Sequence, residues 1–171
     1  MPELLGRKQA EEILGENNCS GNVIRHCEAV SREAKRIAER VRANGTPVDV
    51  EFVETAALLH DIGRSRTHGI RHGIEGASIL KDHPGYARVC LRHLGGGIDR
   101  AEAKKLGLPE GDFLPETLEE KIVCYADKLI DDYKKVGIEE TLEKFRKRLG
   151  GDHPTIERIK RLDKEIRGLM R

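Results

Sequence analysis

Apolar residues that recur at steps of three and four constrain the fold more than any other feature of this sequence. The clearest series begins after Ser20-Gly21-Asn22, a segment that can cap a helix, and runs through Val23, Cys27, Val30, Ala34, Ile37 and Val41. Residues at this spacing lie on one face of an α-helix. No stretch of alternating β-branched residues competes with it. We therefore predict an all-α fold, a bundle of packed helices.

Capping residues and the same spacing predict further helices. Asp49 caps one that ends at Gly63, and Thr117 with Glu120 forms a capping box for another that continues to Gly137. Other helices are expected near residues 70–81, 86–94, 139–149 and 155–170, with a turn at 83–85 and a surface loop at 109–115. We expect a single domain over residues 1–171, with its core at about 20–135 and an N-terminal helix and charged C-terminal helices packed on it.

The composition narrows the class of protein. The chain of 171 residues carries 31 Lys and Arg against 30 Asp and Glu, a balance typical of helical surfaces rich in ion pairs and not of a basic duplex-binding module. No apolar run approaches the ~20 residues of a membrane span, and no secretory signal opens the sequence. The four cysteines form no metal-finger spacing. A cytoplasmic protein without a membrane partner is expected, with nucleic acid a disfavoured partner.

Histidines and aspartates on or beside apolar helical segments are the candidate functional residues. They are His26, His60, Asp61, His72, His93 and Asp127. A buried histidine is most often a hydrogen-bonded core residue, but a buried carboxylate is costly unless it is paired or bound to a metal. Imidazoles and carboxylates are the donors that hold Fe, Mn, Co, Ni or Zn, and helical bundles build such sites from facing helices. These observations allow two interpretations of the six residues, as ligands of a metal site or as hydrogen-bonded core residues.

The order of these residues resembles that of the HD superfamily of metal-dependent phosphohydrolases. That order is His, His-Asp, Asp, and His26, His60-Asp61 and Asp127 supply it. The segment 60–63 matches the HDIG subgroup letter for letter, and the Tyr-Ala-Asp segment at 125–127 also fits. The similarity covers about residues 20–135 and is greatest to uncharacterised archaeal HDIG proteins. It implies an HD-domain helical bundle.

The resemblance also implies two divalent transition metal ions. In members that hold two ions, further histidines stand where this chain has His72 and His93. Asp61 would bridge the ions, with His26, His60 and Asp127 completing one shell and His72 and His93 the other. The interval from Asp61 to His72 is short for this family. His68 would share a face with His72 on a helix and stays an alternative ligand.

The implied reaction is attack of a metal-activated hydroxide on phosphorus. Arg64 and Lys128 adjoin ligands and are expected to contact the substrate phosphate as catalytic residues beside Asp61, although a salt bridge is the alternative for both. Arg71 and Arg92 are further candidates. The expected substrate is a phosphomonoester or phosphodiester, of a nucleotide or a related small molecule.

Three other functions stay open at this stage. The same ligands would serve a diiron oxygenase, a metal-containing domain that senses nucleotides, or, if the histidines are core residues, a structural helical protein. Residues 134–171 carry twelve Lys and Arg against seven Asp and Glu. This excess is either a solvated face or a contact for RNA or a phosphorylated substrate. A homodimer also stays open.

Overall fold

The computed structural model describes residues 4–171 and confirms the all-α prediction. Its helices are α1 (Arg7–Glu16), α2 (Gly21–Ala43), α3 (Val50–Leu59), α4 (His72–Ile79), α5 (Pro84–Arg92), α6 (Arg100–Lys105), α7 (Leu118–Lys128), α8 (Ile138–Leu149) and α9 (Pro154–Leu169), with a 3-10 helix at Ile62–Ser65. Two short strands, β1 (Ile130–Asp131) and β2 (Lys134–Lys135), pair antiparallel as a hairpin.

Helix α2 lies at the centre of the bundle and packs on α3 and α7. The Ser20 hydroxyl accepts a hydrogen bond from the Val23 N–H, so the predicted N-cap is confirmed. The apolar series read from the sequence is buried along its whole length: Val23, Cys27, Val30, Ala34, Ile37 and Val41. This buried stripe fixes the rotation of α2 about its axis and so directs His26, beside Cys27, toward α7.

Helix α3 ends at Leu59 and not at Gly63 as predicted, and Gly63 lies instead inside the 3-10 helix. A Cβ atom on Gly63 would lie 1.8 Å from the carbonyl oxygen of His72 and 2.5 Å from the amide nitrogen of Gly76. Only glycine therefore lets the 3-10 helix pack directly on α4. This close approach brings the His60-Asp61 pair at the end of α3 next to His72 at the start of α4.

Two local predictions between α4 and α7 were wrong. The predicted turn at 83–85 is instead the start of α5, where His83 is the N-cap and Pro84 stands at the first helical position, which its missing N–H and fixed φ suit. Helix α6 was not predicted at all. Asp99 and Glu102 form its capping box.

Helix α7 ends at Lys128 and not at Gly137. Asp132, in the turn between the strands, adopts a φ of 54°, a left-handed conformation that aspartate tolerates, so the chain reverses into the hairpin. Gly137 is instead the N-cap of α8. The apolar spacing of Leu129, Ile130 and Tyr133 continues the helical period of α7 by coincidence, and the turn residues override it.

Helices α8 and α9 pack on the rest of the fold with apolar faces. Ile166 of α9 joins the main core, whereas Leu142 of α8 and Ile159 of α9 form a smaller cluster. Arg158 ties α9 to the N-terminal end of α6 through an ion pair of 2.7 Å with Asp99. None of the helices in residues 4–171 has the length and hydrophobicity needed to cross a membrane.

Replacing Gly63 by alanine should lower the free energy of unfolding by roughly 3 kcal/mol, because the new methyl group meets backbone that cannot move aside. Gly15→Ala is the matched control. A Cβ there meets nothing within 4 Å, and alanine favours the helix by up to about 1 kcal/mol. Urea unfolding of both variants tests this contrast. Equal stability of the two variants would contradict the close approach.

The buried carboxylate of Glu120 should make stability depend on pH. Burial raises its pKa, but the backbone N–H groups of Glu116 and Thr117 and the guanidinium of Arg92 outweigh this and hold the pKa below 4.5. The stabilisation is therefore present above the unfolded pKa and is lost as the pH falls through the lower folded value.

We expect Glu120→Gln to cost about 2 kcal/mol at pH 7, with the difference from wild type shrinking below pH ~4.5. The control Glu157→Gln changes an exposed i,i+4 partner of Arg161 and should cost under ~0.5 kcal/mol. Unfolding measured across pH checks this. A constant difference down to acid pH would contradict the role of the charge.

Candidate metal centre

The six candidate ligands lie together at one place in the fold. His26 comes from α2, His60 and Asp61 from the end of α3, and His72 from the first turn of α4. His93 caps the end of α5, and Asp127 stands in the last turn of α7. Four separate helices and the loop that follows α3 therefore converge on residues that are far apart in the sequence.

Each of the four imidazoles is held by a backbone carbonyl group. The Nδ1 atoms of His60, His72 and His93 lie 2.6, 2.8 and 2.8 Å from carbonyl oxygens. Nδ1 of His26 lies 2.5 Å from the carbonyl oxygen of Asp132 in the hairpin turn. A carbonyl only accepts, so Nδ1 carries the proton and donates. The Nε2 atom of a neutral ring then keeps its lone pair for a metal, the usual arrangement of metal-binding histidines.

The two oxygens of Asp61 face two different groups of nitrogens. Oδ1 lies 3.1 Å from Nε2 of His72 and 3.1 Å from Nε2 of His93. Oδ2 lies 3.6 Å from Nε2 of His26 and 3.8 Å from Nε2 of His60. This is the arrangement that a carboxylate bridging two cations requires.

Asp127 completes the group on the His26 side. Its Oδ1 lies 3.0 Å from Nε2 of His26 and 3.4 Å from Nε2 of His60. Its Oδ2 is instead bonded to the ammonium of Lys128 at 2.7 Å. One oxygen of this carboxylate is therefore directed at the candidate centre, and the other is held by a neighbouring cation.

The Nε2 atom of His60 shows that a bound ion fits here. Among residues 4–171 it is the one buried side-chain nitrogen or oxygen without a hydrogen-bond partner, which is a costly state for a polar atom. Donor atoms within 4.8 Å of one another form two sets that could hold an ion: His26, His60 and Asp127, and His60, Asp61 and His93. His72 adds its Nε2 atom 3.1 Å from that of His93.

The protonation states of the two aspartates and of His93 suit cation binding. Burial raises the pKa of both aspartates, but the surrounding histidines, with Lys128 beside Asp127, outweigh this and hold both values well below the usual range. Burial lowers the pKa of His93 to about 4. Burial also acts to lower the pKa of His26, but the carboxylates of Asp127 and Asp61 raise it to about 9. At neutral pH the two carboxylates are therefore anionic and His93 is neutral, whereas His26 is protonated and would release its Nε2 proton on binding a metal.

Arg64 and Lys128, the two residues predicted to contact the substrate phosphate, differ in exposure and in hydrogen-bond partners. Arg64 donates from Nε to Oδ2 of Asp61 at 2.8 Å, and its side chain is 32% exposed at the cleft. Lys128 is buried and donates to Asp127 and, at 2.8 Å, to the carbonyl oxygen of His93. Substrate contact by either residue stays a prediction. The bonds of Lys128 are those of a residue that positions the Asp127 carboxylate.

The structure separates the remaining candidates. It is His72, and not His68, whose Nε2 lies beside Asp61, because α4 begins only at residue 72 and the two histidines share no helical face. His68 is exposed at the cleft. Arg92 pairs with Glu116 and Glu120, and Arg71 donates to the Gly107 carbonyl oxygen, neither at the cleft.

The candidate centre opens into a cleft of about 1050 Å³. One wall is formed by the candidate ligands other than the buried His60, together with Arg64, and another by α8, including Lys144, Phe145 and Arg148. Sequence reasoning left a substrate contact by residues 134–171 only as an alternative and did not place α8 at the cleft, and it missed the Asp132 carbonyl that holds His26. The basic excess of the C-terminal helices was the one available signal for the wall, and Asp131-Asp132 as turn residues was the signal for the hairpin.

Comparison with known proteins agrees with this architecture. Residues 23–131 match the HD domain family. An uncharacterised protein of Methanocaldococcus jannaschii is 51% identical over 158 residues, which cover 91% of this chain and 94% of that protein.

Two other relatives are longer proteins. A tRNA (cytidine(56)-2'-O)-methyltransferase of Picrophilus torridus is 40% identical over 90% of this chain, and a ribonuclease Y of Alkaliphilus metalliredigens is 32% identical over 85%. This chain spans only 44% of the first and 26% of the second. The similarity therefore concerns one part of each of these relatives.

Metal binding should be measurable without any enzyme assay. When the free Mn²⁺ concentration is a hundred times the Kd of a site, the ion bound there should stabilise the protein by about 2.7 kcal/mol. This stabilisation is measured as a rise in Tm on adding Mn²⁺. Asp61→Ala should remove most of the bound metal and this rise, because one carboxylate serves both donor groups. His72→Ala should spare one ion.

His83→Ala, a histidine away from the centre, is the control and should keep the wild-type metal content. Elemental analysis of reconstituted protein gives the number of ions per chain. Wild-type metal content in the Asp61 variant would contradict the bridging arrangement. Wild-type content in the His72 variant would exclude His72, and His68 would then be tested.

Proposed function

This chain belongs to the HD domain family, and we propose that it is a metal-dependent phosphohydrolase that cleaves a phosphomonoester or phosphodiester. The substrate is a nucleotide or a related small molecule. The observation that carries the proposal is the Asp61 carboxylate, which lines an open cleft and whose two oxygens face separate pairs of histidine Nε2 atoms.

Two divalent transition metal ions are the proposed cofactors. His26, His60 and Asp127 would hold one, His72 and His93 the other, with Asp61 shared between them. Such ions polarise phosphoryl oxygens and lower the pKa of a bound water toward neutrality.

The protein's own residues prepare the site for an anionic substrate. The backbone carbonyls that hold the four Nδ1 protons keep the rings from turning. Lys128 fixes the Asp127 carboxylate from a buried position. Arg64 donates to Asp61 and to the His68 carbonyl oxygen and is partly exposed at the cleft, so its remaining N–H groups are free to donate to phosphoryl oxygens.

A phosphodiester bond of RNA is the second candidate. Ribonuclease Y is named for cleaving RNA, and the methyltransferase relative is named for acting on tRNA. Both names belong to proteins of which this chain spans less than half. The near-zero net charge of this chain favours a small nucleotide over a long RNA.

The test is hydrolysis by protein reconstituted with Mn²⁺, Co²⁺, Ni²⁺ or Fe²⁺, on a panel of nucleoside phosphates, cyclic phosphates, dinucleoside polyphosphates and short RNA. We expect phosphate or nucleotide release with redox-inert Mn²⁺. Oxygen uptake that requires iron, without hydrolysis, would instead support a diiron oxygenase. Tight nucleotide binding without turnover under every metal would support a sensor.

Arg64→Ala should lower kcat/KM on the order of a hundredfold, because a donor to the charged phosphoryl group is lost. Arg71→Ala is the matched control, since it removes a neighbouring exposed arginine that does not line the cleft. Metal content is measured in both variants, because Arg64 also contacts Asp61. Unchanged kcat/KM in the Arg64 variant with a full metal content would contradict its role.

A further inference from the structure

Exposed large apolar side chains are concentrated at the mouth of the cleft. In residues 4–171 there are five: Leu4, Ile70, Leu106, Tyr133 and Leu149. All but Leu4 line the cleft, and their residues are 41–54% exposed. Apolar residues scattered singly on a surface are ordinary, but their concentration in one concave place marks a binding surface.

Two cations at this cleft lack a carboxylate partner. Within the described part of the chain, no carboxylate lies within 4.0 Å of the Arg148 guanidinium or the Lys105 ammonium, and both residues line the cleft. Arg148 lies over the ring of Phe145, with its guanidinium carbon 4.8 Å from the ring centroid. Lys144 on the same wall is instead neutralised by Asp131.

Part of this wall lies beyond the segment that matches the HD domain family. The match to the HD domain ends at residue 131, whereas Arg148 and Leu149 belong to α8. The cleft of about 1050 Å³ slightly exceeds the roughly 300–1,000 Å³ typical of small-molecule sites, so it has room for much more than one phosphoryl group. Residues of α8, outside that matched segment, therefore have the position to contact the rest of the substrate.

We infer that the α8 wall, together with Ile70 and Lys105 at the same cleft, is a subsite for a nucleotide with a second phosphate group. The apolar rim, with Ile70 and Leu149, receives the flat nucleobase, and Arg148 and Lys105 neutralise the phosphate that is not hydrolysed. The charges fit, because Arg148 and Lys105 have no carboxylate partner, whereas two carboxylates at the cleft, Asp131 and Glu102, are already paired with Lys144 and Arg158. This subsite rests on the proposed function and names its substrate as a nucleoside bisphosphate or a short dinucleotide.

Binding of analogues that cannot be hydrolysed tests the subsite apart from catalysis. The probes are adenosine 3′,5′-bisphosphonate and the corresponding 5′-monophosphonate, in which methylene groups replace the ester oxygens. Their Kd values are measured by calorimetry on Mn²⁺-loaded protein. We expect the bisphosphonate to bind about tenfold more tightly than the monophosphonate, since one more charge-assisted contact forms.

Arg148→Ala should remove this tenfold advantage, and Lys147→Ala should keep it. Lys147 is the matched control, because it is a basic, exposed neighbour on α8 that does not line the cleft. Ile70→Ser should weaken both analogues about threefold. Leu4→Ser, an equally exposed apolar residue outside the cleft, should leave both Kd values unchanged.

Equal affinity of the two analogues for the wild type, or equal effects of the Arg148 and Lys147 variants, would overturn the subsite. A change of oligomeric state in Ile70→Ser without a change in Kd would also overturn it and assign the rim to contact between copies of the chain. The expected Kd differences without hydrolysis of any phosphoester in the substrate panel would support the subsite while refuting the proposed hydrolase.

Discussion

The buried carboxylate of Asp61 is the constraint on which the rest of the structure depends. An anion at 3% exposure inside an apolar bundle is tolerable only where positive charge or polar hydrogens surround it. Here it stands among the Nε2 atoms of four histidines and the guanidinium of Arg64. The helices that carry these groups must therefore keep one relative arrangement. Gly63 makes this possible because it lets the 3-10 helix pack directly on the backbone of α4.

The fold could be predicted from the sequence wherever a long period coincides with a cap. The α2 stripe and the Thr117 capping box of α7 are of this kind. Helix α6 is only six residues long and offers too little periodicity to detect. The end of α7 was misplaced because Ile130 and Tyr133 keep the helical spacing, while the backbone conformation of Asp132 decides the outcome.

The candidate site could be predicted in its residue types but not in its surroundings. A carboxylate on an apolar face already indicated an unusual environment at Asp127, and resemblance supplied the set of ligands. Whether residue 68 or residue 72 faces Asp61 depends on where α4 begins, which the sequence leaves open. The α8 wall could not be predicted, because it exists only once α8 and α9 have folded back across the cleft.

The four imidazoles are not secured in the same way. Those of His60, His72 and His93 each bond a carbonyl three residues earlier in their own segment, so their orientation is set by local backbone. His26 alone depends on a carbonyl 106 residues away, at the tip of a short and largely exposed hairpin. Short exposed hairpins open at far lower free energy than a buried core. Fraying of the hairpin would release one ring while the other three stay in place. A metal ion held by His26, His60 and Asp127 would then exchange with solvent faster than an ion held by His72 and His93.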